Sequence, residues 1–150
     1  MPRSKAHTAA LLASSDDVEA QFYEALQQAD LDKLMAVWSD DDEIACVHPG
    51  GPRITGPAEI RASFAAIFAN GPIPLQPQPQ PRRLQTLGCA VHHVVERITR
   101  VDDKGERSAW VLATNVYLKT AMGWRMVAHH ASPAGDLAEP ASGETPSTLH

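Results

Sequence analysis

Histidine supplies most of the chemistry this chain could offer. Two adjacent pairs stand out, His92-His93 and His129-His130. They invite a metal, but neighbouring residues on a strand point to opposite faces, so neither pair can close on one ion. With a strand at 108–120 between the strands that carry them, His92 and His130 lie two strand spacings apart, roughly 9–10 Å. No Asp or Glu offers itself as a third ligand, and neither a metal nor a cofactor is expected. Asp40-Asp41-Asp42-Glu43 lacks the spaced Gly and closing Glu of a calcium loop and reads as a solvated turn. Cys46 and Cys89 sit in apolar, strand-like runs, which predicts two buried thiols in a reducing cytoplasm. There is no Gly-x-Ser-x-Gly, no phosphate-binding glycine loop, and no Cys/His nucleophile pair with local support.

The elements that must position these residues follow from patterning. The 150 residues suit one domain, and the formal net charge of −5 with no basic cluster excludes nucleic acid or an anionic membrane as the main partner. No apolar run approaches a membrane span or a convincing signal peptide. Residues 1–14 read as a flexible leader and 133–150 as a disordered tail, leaving 15–132 as the folded domain. Val18, Phe22, Ala25, Leu26 and Ala29 recur at helical spacing over 16–29. Asp30 caps a short second helix with Leu31, Leu34, Met35 and Trp38 on one stripe, and Gly56-Pro57-Ala58-Glu59 opens a third with Ile60, Phe64, Ile67 and Phe68 inward. Trp38, Phe64 and Phe68 are core or cavity wall. Strands are predicted at 43–48 and 53–55. The five prolines of 72–81 mark an edge or polyproline-like segment. An antiparallel meander follows at 82–87, 89–101, 108–120 and 124–132, with Gly in its tight turns. The layout is α+β.

Three segments carry a family resemblance in this order: Asp30-Leu31-Asp32-Lys33-Leu34 with Trp38-Ser39-Asp40-Asp41-Asp42; Val47-His48-Pro49-Gly50-Gly51-Pro52 leading to Gly56-Pro57-Ala58-Glu59-Ile60-Arg61; and Gly123 to Ser132. Over about 16–132 the chain resembles the nuclear transport factor 2-like superfamily, which includes SnoaL-like polyketide cyclases and ketosteroid isomerase. The resemblance implies a curved antiparallel sheet wrapped around about three N-terminal helices, a cystatin-like α+β barrel with a cone-shaped cavity. It puts His48 at the isomerase's base position, Phe22 near its tyrosine and Asn115 at its protonated aspartate. Tyr23 lies about 100° further round the helix. One donor is then missing and one weakened, which makes steroid isomerisation improbable. Strand parity puts Trp124, Met126, Ala128, His130 and Ser132 on one face, and the resemblance turns that face to the cavity. The expected catalytic set is His48 as base with Asn115 and His130 as hydrogen-bond partners of an oxyanion. The expected ligand-pocket wall is Tyr23, Trp38, Phe64, Phe68 and Met126.

The implied activity is binding of a small apolar or partly polar molecule, with proton transfer next to a carbonyl as in an isomerase, cyclase or dehydratase. The closing Trp124…His130-Ala131-Ser132 pattern is also similar to the association domain of calcium/calmodulin-dependent kinases, which implies a non-catalytic dimerisation module as the alternative. Strands 89–101 and 108–120 are apolar on both faces, as Val91 and Val95 against Val94 and Ile98 show. A sheet apolar on both sides expects a cover on both, so a homodimer through the convex sheet face is predicted.

Overall fold

The computed structural model describes residues 12–134. Helix α1, Ser15–Gln28, starts where the Ser14 hydroxyl accepts the Asp17 amide at 3.1 Å, with Asp16 and Asp17 at its positive end. It stops at Ala29, whose φ of 54° ends the helical geometry. Asp30 caps α2, Leu31–Met35, through the Lys33 amide at 3.0 Å. Helix α3, Pro57–Phe68, has Pro at its first position, where no amide is needed, and Ile60 and Phe64 as its buried residues.

The strands are β1 (Ala45–Val47), β2 (Arg53–Thr55), β3 (Leu75–Pro77), β4 (Arg82–Gln85), β5 (Cys89–Asp102), β6 (Gly105–Thr120) and β7 (Gly123–Pro133). They form one seven-stranded sheet in the order β2-β1-β7-β6-β5-β3, with β4 also paired to β5. The sheet is curved and does not close on itself. The β5–β6–β7 meander is antiparallel as expected, but β1 runs parallel to β7, with Cys46 opposite His129, so the sheet is mixed. The proline-rich stretch supplies β3 at the sheet's edge, where a missing ladder donor is tolerated. Among the described residues no helix is long and apolar enough to cross a membrane.

The core lies between the helices and the inner face of the sheet. Leu12, which the sequence assigns to the leader, is fully buried there, and its carbonyl accepts the Trp124 amide at 3.1 Å. At the other boundary β7 runs to Pro133 and the Ala134 amide reaches the Trp110 carbonyl. Residues 1–11 of the expected leader and 135–150 of the expected tail lie outside the described residues. Cys46 is buried and Cys89 half-buried, both as free thiols.

One irregularity redirects the site. Val116 pairs with Ala128, but the next residue, Tyr117, pairs with Met126. Val127 is therefore an extra residue in β7, a bulge that reverses the alternation beyond it. Trp124 and Met126 face inward as expected; past the bulge the inward residues are His129 and Ala131, while His130 and Ser132 are exposed.

Candidate functional site

Uniform alternation would put His130 beside Asn115 on the inner face. The Val127 bulge puts it outside, in a row with Thr114 and His93. Both histidine doublets are divided between the faces: His92 and His129 are buried, His93 and His130 exposed. His48 stands apart as well. It is half-buried at the end of β1, with Nε2 3.1 Å from the Ser63 hydroxyl and its ring edge-on to Phe64. Burial lowers its pKa below the ordinary imidazole value. The structure thus does not gather His48, Asn115 and His130; of the three, only Asn115 joins the polar centre.

That centre is built from α1 and the inner face of the meander. Glu19 and Tyr23, four residues apart, share one helix face. Alternation on β5 turns His92 and Glu96 inward, and on β6 Asn115 and Tyr117. Glu19 Oε1 accepts hydrogen bonds from Tyr117 Oη at 2.6 Å, His92 Nδ1 at 3.0 Å and Asn115 Nδ2 at 3.3 Å. Its Oε2 has no hydrogen-bond partner among the described residues, although the side chain is only 12% exposed. Tyr23 Oη donates to Glu96 Oε2 at 2.7 Å and accepts from Asn115 Nδ2 at 3.1 Å. His129 Nδ1 donates to Asn115 Oδ1 at 2.5 Å, which fixes the orientation of that amide. Behind His92, Nε2 meets Ser15 Oγ at 3.3 Å, and Ser15 reaches Gln85 of β4.

The two carboxyls are pushed in opposite directions. Burial would raise the Glu19 pKa, but the donors His92, Tyr117 and Asn115 and the His92 charge outweigh it and hold the group below its ordinary value. Burial raises Glu96 to about 7; the Tyr23 hydrogen bond opposes this and the Glu19 charge adds to it. Tyr23 and Tyr117 are pushed well above the ordinary phenol value, first by burial and then by Glu96 and Glu19 respectively. Burial takes His129 down to about 3, so it is neutral at physiological pH. An ionised carboxylate beside one poised near neutrality is the division from which acid and base roles arise.

A cleft of about 370 Å³ runs along α1 and opposite residues 77–79, with Glu19 and Tyr23 among its lining residues. A second, of about 350 Å³, lies between Trp38 and the start of α3, and Arg61 lines it. The expected wall residues are divided: Tyr23 lines the first cleft, Trp38 the second, and Phe64 and Met126 are buried in the core with Phe68 packed against it. Trp38 Nε1 is buried without a partner. Phe22, at the position expected for the isomerase's tyrosine, is a core residue stacked at a tilt on His129, and Tyr23 is the one whose hydroxyl reaches the polar centre. Sequence reasoning missed Glu19, His92, Glu96, Tyr117 and His129. Ala90, His92, Val94 and Glu96 form one buried face of β5, so two polar residues in an otherwise apolar alternation were the available signal. Among the described residues no three His, Cys, Asp or Glu side chains are grouped to hold a metal.

Residues 16–136 match the SnoaL-like domain family. A structure from Thiobacillus denitrificans, provisionally assigned as a calcium/calmodulin-dependent protein kinase type II association domain, is 37% identical over 82% of this chain and 97% of its own, with a TM-score of 0.73. A provisionally assigned dehydratase of the nuclear transport factor 2-like family from Streptomyces avermitilis is 30% identical over 77% of this chain and 91% of its own, at 0.65. A ketosteroid isomerase-like protein from Erwinia carotovora is 17% identical over 82% and 95%, at 0.68, and shares the fold alone. No curated protein sequence matches the chain.

Proposed function

Because this chain belongs to the SnoaL-like domain family, whose fold hosts both enzymes and association modules, we propose that it binds a small molecule in the cleft beside α1 and transfers a proton to and from carbon there, as an isomerase or dehydratase does. The observation that carries this reading is Tyr23, a lining residue of the cleft whose hydroxyl donates at 2.7 Å to a carboxyl poised near pH 7. A proton leaving the substrate passes to Tyr23 Oη as the Tyr23 proton passes to Glu96 Oε2. The reverse transfer returns it to another carbon or to a departing hydroxyl. A general base works best with a pKa near the working pH, and Asn115 holds the Tyr23 oxygen in place. The oxyanion role expected of Asn115 is not part of this reading, since its amide is engaged by Glu19, Tyr23 and His129. The test is exchange of substrate α-protons into D₂O, followed by NMR over a panel of small enolisable compounds. Tyr23→Phe should reduce exchange by about 10²-fold or more with the fold retained. No exchange above buffer by the wild-type protein from pH 6 to 8 refutes the reading.

A specific surface favours a second, compatible reading, assembly of two copies through the sheet. The outer face carries Val91 paired with Val116 and Val95 paired with Leu112, with Leu118 alongside. Leu112 is 46% exposed and Leu118 40% exposed. Contiguous exposed apolar surface of this kind marks interaction sites, and the 37%-identical structure bears an association-domain assignment. Leu112→Glu should shift a dimer to monomer in light scattering. A wild-type monomer at tens of micromolar refutes it.

A further inference from the structure

The charge around the α1 cleft says what kind of molecule it takes. Asp16, Glu19 and Glu24 line it from the helix, and no Lys or Arg is among its lining residues. Two of these acids are answered from outside: Arg83 Nε lies 3.4 Å from Asp16, and Lys33 pairs with Glu24. Both are exposed pairs, screened by water and salt.

Glu19 differs. It is 12% exposed, no Lys or Arg pairs with it among the described residues, and its donors all converge on Oε1. Its other oxygen has no donor of the protein's own. A carboxylate oxygen with no protein donor, on a side chain that lines the cleft, is free to accept from a donor that the ligand brings. A charged donor satisfies it best, since charge-assisted bonds are roughly twice as strong as neutral ones. The rest of the cleft is short of charge: Ala20, Pro77 and Pro79 offer apolar surface, and Gln27 and Gln78 offer amides. A carboxylate that shares only its other oxygen with His92, beside an apolar wall, matches one positive charge on an apolar body.

We propose that this cleft takes small organic monocations, a primary or secondary ammonium on an apolar body, with the N–H donated to Glu19 Oε2. The inference rests on the reading of the cleft as the substrate site. Substrates bearing a carboxylate or phosphate are excluded by the same field, and neutral alcohols of equal shape bind more weakly because they bring no charge.

Three probes of matched shape test it: benzylammonium, benzyl alcohol and benzoate, titrated into ¹⁵N-labelled full chain and read at the backbone amides of Ala20, Gln27 and Gln78. Benzylammonium should bind at least tenfold more tightly than benzyl alcohol, and benzoate should leave those amides unmoved. Glu19→Gln should abolish the tenfold preference, bringing benzylammonium to the affinity of benzyl alcohol for the same variant. The wild-type ratio stands as a test without that variant, should it fail to fold. If benzyl alcohol or benzoate binds as tightly as benzylammonium, the charge assignment falls while the cleft remains a binding site. If none of the three moves the cleft amides, the reading of the cleft falls and the inference with it.

Discussion

Replacing Glu96 with Gln isolates the energetic consequence of the buried polar centre. Glu96 is 2% exposed and its carboxyl is raised from 4.5 to about 7, first by burial, with Glu19 adding to the shift. Below pH 4.5 the group is protonated in both folded and unfolded chains and costs nothing. As pH rises from 4.5 towards 7, the unfolded chain releases the proton and the folded chain keeps it, so unfolding becomes easier. Above about 7 the folded chain must carry the buried charge in full. The interval from 4.5 to about 7, at ~1.4 kcal/mol per pH unit, corresponds to roughly 3 kcal/mol. Most of that, about 2–3 kcal/mol, develops between pH 5 and 8. Gln keeps an oxygen for the Tyr23 hydroxyl and cannot ionise. The stability of Glu96→Gln minus wild type, from urea unfolding at pH 5, 6, 7 and 8, should therefore rise steadily with pH by about that amount. Other groups titrate in both proteins and largely cancel in the difference. A difference constant to within ~0.5 kcal/mol across the range, the scatter ordinary for a neutral surface change, would refute the account of Glu96.

The histidines of β7 should separate in the same assay. His129→Leu removes the donor to buried Asn115 Oδ1 and should cost about 1–3 kcal/mol, whereas exposed His130→Leu should stay within ~0.5 kcal/mol; equal losses would contradict the bulge. Because burial depresses His129 to about 3 from 6.5, its contribution is present above pH 6.5 and fades as pH falls towards 3. The wild-type protein should therefore lose more stability on acidification than His129→Leu, and equal acid sensitivity would count against a buried neutral imidazole.

Local signals in the sequence were sufficient for most of the fold. The apolar spacing over 16–29, the Pro57 start and the glycine turns locate α1, α3 and the meander to within a few residues, because each depends on near neighbours. The β1–β7 pairing was not legible, since three-residue β1 carries no mark of which strand will accept it or in which direction. The site was legible only in part for a related reason. Parity is a sound guide until a bulge intervenes, and nothing in Arg125-Met126-Val127-Ala128 announces that Val127 will be extra. Asn115 was found by resemblance. Glu19 was passed over because it looks like an ordinary acid in the first turns of a helix, and its role depends on His92, Asn115 and Tyr117 arriving from two distant strands.

The last strand also has a consequence for how the chain comes to be folded at all. Trp124 of β7 takes the carbonyl of Leu12; Met126 exchanges backbone hydrogen bonds with Val37 and Ser39; Ala128 to His130 pair with all of β1. Three separate early segments are thus held by one late one, more than half the described chain away. While the ribosome is still making β7, these segments have no strand to lie against, and the apolar faces of α1 and β1 remain without their final cover. Non-local closures of this kind make folding slower and prolong the exposure of sticky surface. The chain should therefore commit to its native state late and in a single cooperative step, and a nascent chain stalled before Gly123 should be a client of chaperones rather than a partly folded domain.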